Sequence, residues 1–141
     1  GLYLFARSIF GPTLQPLVAI FVLFSLRQTC QALCTLPIPP GAIWHHPGFP
    51  SLFVTYGTSN DFFFSGHTAL SVLGAIYLAH DAPPWLAAIG AAIAVAEAIT
   101  VIILRAHYTM DVFAAPFAAW GAEEIARRSA PYLDAWLARF G

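Results

Sequence analysis

Three long stretches almost empty of charge constrain this chain more than anything else in it. Residues 8–26 run 19 residues without a charged side chain, 62–80 run 19 with two histidines, and 85–104 run 20 interrupted only by Glu97. Each, as a helix rising ~1.5 Å per residue, matches a hydrocarbon core of ~30 Å. Only 9% of the 141 residues are charged and 59% are hydrophobic, where a soluble domain carries about 25% charged residues. In lipid each backbone polar group must be satisfied within the protein, so the expected fold is all-α, a polytopic transmembrane helix bundle. A fourth stretch, 112–122, is short by itself and becomes a weaker span when extended to 108–125. About four spans are therefore expected, in one membrane-embedded domain over 1–141. Residues 129–141 alternate aromatic and leucine residues with Asp134 and Arg139, as an interfacial amphipathic tail does.

The connections fix which residues share a membrane face. Residues 35–60 hold five prolines and three glycines, which break helix and place a loop outside the hydrocarbon. The H-D-A-P-P-W turn at 80–85 joins the second and third apolar helices as a hairpin. The start of one and the end of the other, with His67 and R-A-H-Y-T-M-D-V at 105–112, then lie on one face. Arg7, the hairpin turn, Arg127 and Arg128 lie on the opposite face, and the positive-inside tendency puts the histidine face outside the cytoplasm. The chain starts at Gly1 with no signal-peptide pattern, as a fragment of something longer would. All six basic residues are Arg and the net charge is −1, so a nucleic-acid partner is set aside. Cys30 and Cys34 lie four apart on one helix face, a spacing that disfavours a disulfide and suits packing.

The polar residues on the histidine face carry the chemistry. Asp111 follows His107 by four, the spacing that brings imidazole and carboxylate together on a helix. A carboxylate on one ring nitrogen fixes the tautomer and leaves the other nitrogen free to attack an electrophile. His67 brings a second imidazole for proton transfer, Ser65 and Gly66 open a helix start that suits an anion, and Arg27 and Arg105 supply charge for phosphate oxygens. Together these are the parts of a phosphoryl-transfer site. The chemistry needs no metal or cofactor, and no H-E-x-x-H, paired C-x-x-C or Walker motif is present.

The pairing of S-G-H-T (Ser65, Gly66, His67, Thr68) with H-Y-T-x-D-V (His107, Tyr108, Thr109, Asp111, Val112) resembles the type 2 phosphatidic acid phosphatase superfamily. It is closest in pattern to the sphingomyelin synthase branch, which also carries an acid four residues before S-G-H-T, here Asp61. That branch has an Arg-containing helix ending in T-L-P-x-P as well, here Arg27, Thr35, Leu36, Pro37 and Pro39. The resemblance covers about 17–125 and implies a six-span core. Phe64 stands where the phosphatases have proline, and Val101 where they have arginine, which favours the transferase branch.

The resemblance makes His107 the nucleophile, Asp111 its orienting carboxylate and His67 the proton carrier. Arg27, Asp61, Ser65, Gly66, Arg105 and Tyr108 then hold the substrate. The implied partners are membrane lipids: a phospholipid head-group donor and a lipid alcohol acceptor such as ceramide. With water as acceptor the same site is a lipid phosphatase; a non-catalytic membrane protein and a haem-ligating histidine pair are the remaining readings. Glu97, deep in an apolar helix, is either a functional carboxylate or one neutralised within the bundle. Asp61 is a site residue or a helix cap. Trp44, Phe49, Phe53, Tyr56 and Phe62–Phe64 form either a cage for a quaternary ammonium or an interfacial aromatic belt. His45 and His46 read as surface residues, and His80, at the far end, has no catalytic part.

Overall fold

Glycine and proline set the helix boundaries. The computed structural model describes residues 1–34, 36–37, 39–43 and 63–140. All regular structure among them is helical: α1 (Leu2–Phe10), α2 (Gln15–Leu33), α3 (Gly66–Asp81), α4 (Pro84–Ile103) and α5 (Thr109–Leu137). The stretch 8–26 is not one helix. Gly11 ends α1 in an extended conformation, because Pro12 disfavours helical geometry at the residue before it, and α2 restarts with Pro16 in its first turn. Pro84 likewise opens α4, at a position where its missing N–H costs nothing. α5 carries Pro116 and Pro131 in its interior and runs on to Leu137. Residues 129–137 form the last turns of α5, and Asp134 Oδ1 accepts the Leu14 N–H at the start of α2 at 3.0 Å.

The all-α expectation holds for the described residues, and the span count is corrected. Among the described residues two helices, α2 and α4, are long and apolar enough to cross a membrane. α3 has 16 residues, about 24 Å, and α5 carries Asp111, Glu123, Glu124, Arg127, Arg128 and Asp134 along its 29 residues. Uninterrupted apolar letters overstated α3, since its helix begins only at Gly66. The apolar windows of α2 and α4 are only 22% and 17% buried, whereas the core helix of a soluble protein is mostly buried. Phe21, Ile93, Val95 and Ile103 are all exposed, as apolar side chains facing lipid would be.

The interior is organised by a small-residue seam on α5. Ala115, Ala119, Ala122, Ala126 and Ala130 are buried at helical spacing, and together with Asp111 they form one stripe. Small side chains let helix backbones approach closely, so α5 packs against both α2 and α3 while α4 packs against α3. Leu23 of α2, Leu73 and Tyr77 of α3, and Leu4 of α1 fill the remaining core. Arg7 Nη2 meets Asp81 Oδ2 at 2.9 Å, which pins the chain's start beside the α3–α4 turn. Gln15 reaches Glu123 at 3.3 Å at the same end. The starts of α3 and α5 and the end of α4 are thereby left together at the other end, as the hairpin topology expects.

Candidate active site

The two motif segments are joined by backbone before any side chain is considered. The Ser65 N–H donates to the Asp111 carbonyl at 3.1 Å, linking the start of α3 to the start of α5. Ser65 caps α3: its Oγ accepts the Thr68 N–H at 3.4 Å and lies 3.0 Å from Thr68 Oγ1. Ser65 is thus occupied as the junction of the two motifs, and the helix start turned toward the site is that of Gly66 and His67.

His107 does not lie on a helix. α5 begins at Thr109 with Tyr108 as its N-cap, so the four-residue spacing works by capping rather than by a shared helical face. The Asp111 carboxylate accepts the Tyr108 N–H through Oδ2 at 3.0 Å, and the Asp111 N–H returns a bond to the Tyr108 carbonyl at 3.0 Å. These reciprocal bonds hold the cap as a capping box does. They fold His107 back so that its Nδ1 stands 3.6 Å from the same Oδ2. The side chain of Asp111 is 1% exposed and that of His107 9%. A carboxylate facing Nδ1 turns Nε2 away from it, in the form a nucleophile needs.

The turn that delivers His107 is made by Arg105. At the end of α4 the Ala106 N–H bonds the Val101 carbonyl and the Arg105 N–H bonds the Ile102 carbonyl, both at 3.0 Å. This is a Schellman termination with Arg105 in the left-handed position, φ 51°, where glycine is usual and another residue costs about 1–2 kcal/mol. The exposed Arg105 side chain extends over Gly41, and the Ile43 N–H donates to the Leu104 carbonyl at 3.0 Å. The loop after Pro40 is thereby fastened to the end of α4. Gly41 has φ +69°, and a Cβ there would stand 2.5 Å from Arg105 Nη1. Gly41→Ala is expected to destabilise the protein by about 1–2 kcal/mol and to displace the Arg105 guanidinium. Thermal unfolding in detergent, with Arg105→Ala as comparison, checks this.

Arg27 enters from α2 and is 2% exposed. Its Nε donates to the Phe64 carbonyl at 3.3 Å, and the side chain lies across Gly66, where a Cβ would come within 3.0 Å of Nε. Gly66 therefore serves close approach of a guanidinium to the α3 start. His67 is partly buried beside this cation, and the charges of Glu97, His107 and Arg27 all act on it.

The fold thus gathers His67, His107, Asp111, Arg27, Ser65 and Gly66 at one end. Arg105 sits at the rim, and Tyr108 contributes its backbone N–H. Asp61, His45, His46 and the residues 44–62 of the expected aromatic cage lie outside the described residues. Two participants went unnoticed in the sequence: the Phe64 carbonyl, whose signal was only the absence of proline there, and Gly41, whose signal was the P-P-G turn. Among the described residues no group of three or more His, Cys, Asp or Glu side chains is placed to hold a metal ion. Cys30 and Cys34 are free thiols.

Helices apolar on the outside, with a polar end built on an imidazole–carboxylate pair, suit a membrane-associated protein that handles lipid phosphates. Comparison with protein families gives the same class, a lipid phosphotransferase. Residues 2–128 match the AtPDCT1/2 family, phosphatidylcholine:diacylglycerol cholinephosphotransferase, and the chain belongs to that family. No curated protein and no solved structure gives a significant match. The family match corrects the expected placement in the sphingomyelin synthase-like branch of the type 2 phosphatidic acid phosphatases, for which nothing else speaks. The reason is physical. S-G-H-T and H-Y-T-x-D-V encode how two imidazoles and a carboxylate are held, and neither segment contains what selects the acceptor alcohol, so a sphingolipid role does not follow from them.

Proposed function

We propose that the protein moves a phosphocholine head group from a phosphatidylcholine donor to a diacylglycerol acceptor through a phosphohistidine intermediate on His107. The observation that carries this reading is the buried His107–Asp111 pair at 3.6 Å, backbone-bonded to the helix start that presents His67. In the first half-reaction His107 Nε2 attacks phosphorus and the bond from phosphorus to the glycerol oxygen breaks. Protonated His67 gives its proton to that oxygen, and diacylglycerol leaves. In the second, neutral His67 takes the proton from the hydroxyl of another diacylglycerol, whose oxygen attacks phosphorus as the nitrogen–phosphorus bond breaks. Arg27 and the α3 start stabilise the non-bridging oxygens as charge builds on them, and Asp111 stabilises the charge gained by His107. The two half-reactions are mirror images, so one set of residues serves both.

α2 and α4 cross the bilayer in this reading, and the site lies at the membrane surface, where a lipid presents its phosphate. The positive-inside tendency of Arg127 and Arg128, at the opposite end, supports a site on the extracytoplasmic face.

The test is chromatography of a fluorescent diacylglycerol incubated with phosphatidylcholine vesicles containing the reconstituted protein. Fluorescent phosphatidylcholine is expected with the wild-type chain and none with His107→Ala. Equal product from both, or no product from a folded wild-type protein, would refute the proposal. Release of free phosphocholine without lipid product would make the protein a hydrolase.

A further inference from the structure

α4 turns one stripe of residues toward α3, and a carboxylate sits within it. Gly90, Ala94, Glu97 and Val101 recur at spacings of four, three and four, one face of a helix. Gly90, Ala94 and Val101 are buried, while Glu97 is partly buried.

The closed end of the hairpin fixes the register. A Cβ at Gly90 would stand 3.3 Å from Ala75 Cα and 2.8 Å from Leu78 Cδ1, so α4 meets the third and fourth turns of α3 there. The helices run antiparallel with equal rise. Seven residues further along α4, Glu97 therefore comes level with the stretch of α3 from Thr68 to Ser71, beside His67. An ionised carboxylate within an apolar helix costs several kcal/mol, which makes its placement opposite a polar helix start informative.

We infer that Glu97 is a positioning residue for His67, a second imidazole–carboxylate unit beside His107–Asp111, which sustains the protonated imidazole that donates to the departing diacylglycerol oxygen. This rests on the proton-transfer role proposed above for His67. The groups facing His67 are Arg27 from α2, His107 from the turn before α5, with Asp111 behind it, and Glu97 from α4. Among the described residues, the charges of His107 and Arg27 act against the protonated imidazole and that of Glu97 favours it. Burial, and then His107 and Arg27, already push the His67 imidazole below its ordinary value, and loss of Glu97 would lower it further and leave less of the protonated form to donate.

The experiment compares the pH profile of kcat for wild type, Glu97→Gln and Glu97→Asp in the same vesicle assay. Loss of the carboxylate makes the imidazolium less favourable, so in Glu97→Gln the limb on which activity falls as His67 deprotonates should move to lower pH. The expected displacement is about half a unit to one unit, with kcat on that limb reduced about three- to tenfold and KM for phosphatidylcholine within about twofold. Glu97→Asp should hold the limb close to its wild-type position. A profile scaled down without displacement would show a purely structural role and overturn the inference, as would an unchanged profile. The two levels fail separately: a folded wild-type chain without transferase activity removes the function itself, whereas a His107-dependent activity indifferent to Glu97 removes only this inference.

Discussion

Asp111→Asn should lower kcat by about 10³-fold or more while leaving the helices intact. The amide oxygen can still accept the Tyr108 N–H, now bonded at 3.0 Å, so the α5 cap survives. The cost falls on His107. Asp111 Oδ2, the atom that also takes the Tyr108 N–H, faces its Nδ1 at 3.6 Å, and the neutral amide oxygen that replaces it holds the Nδ1–H tautomer much more weakly than a carboxylate does. Asparagine also offers no negative charge to the imidazolium-like state that forms as the nitrogen–phosphorus bond is made. Vesicle transferase assays alongside circular dichroism check both halves of the expectation. Loss of helix together with activity would mean that the carboxylate serves chiefly as a cap. Retained activity would mean that His107 is not the nucleophile.

The second large effect is expected at Arg27. Arg27→Met keeps a long, flexible apolar stem across Gly66 and removes the guanidinium. The Phe64 carbonyl then loses its donor at 3.3 Å, and the phosphate loses the buried cation nearest the α3 start. A fall in kcat/KM of about 10²–10³-fold is expected, with a loss of stability of about 1–3 kcal/mol from the unsatisfied carbonyl. Arg27→Lys should not restore activity, because an ammonium is a point charge without the planar fork that spans a carbonyl and a phosphate oxygen. Thermal unfolding in detergent measures the stability change, and initial rates at several phosphatidylcholine concentrations measure the other. A lysine variant as active as wild type would show that charge alone is required.

What the sequence made legible follows the physics of each signal. α4 was readable almost to the residue, 85–104 against Pro84–Ile103, because proline marks its start and its apolar run ends where the helix does. The first apolar stretch misled: absence of charge reports compatibility with lipid and says nothing about the break at Gly11 and Pro12. The end of α5 misled in the opposite direction, since Glu123, Glu124, Arg127 and Arg128 look like a boundary. A helix continues through them readily when the charges pair, as Arg127 and Arg128 do with Glu124 at 2.7 and 2.6 Å.

The site divides the same way. His67, His107, Asp111 and Arg27 were singled out from residue type and spacing, and the fold brings them to one end. The mechanism of the His107–Asp111 spacing was not legible, because four residues apart suits either a helical face or a capped helix start, and only the backbone bonds of Tyr108 choose. The family was not legible from the paired motifs either, for they describe the handling of phosphorus and leave the alcohols unspecified.

The bond from the Ser65 N–H to the Asp111 carbonyl makes the site an all-or-none assembly. Ser65 belongs to the α3–α4 hairpin and Asp111 to α5, so neither half can hold a competent nucleophile beside its proton carrier by itself. A chain caught partway through membrane insertion, with the hairpin formed and α5 not yet docked, is chemically silent. In the proposed reading, a lipid head group meets a complete site only after α5 has docked on the hairpin.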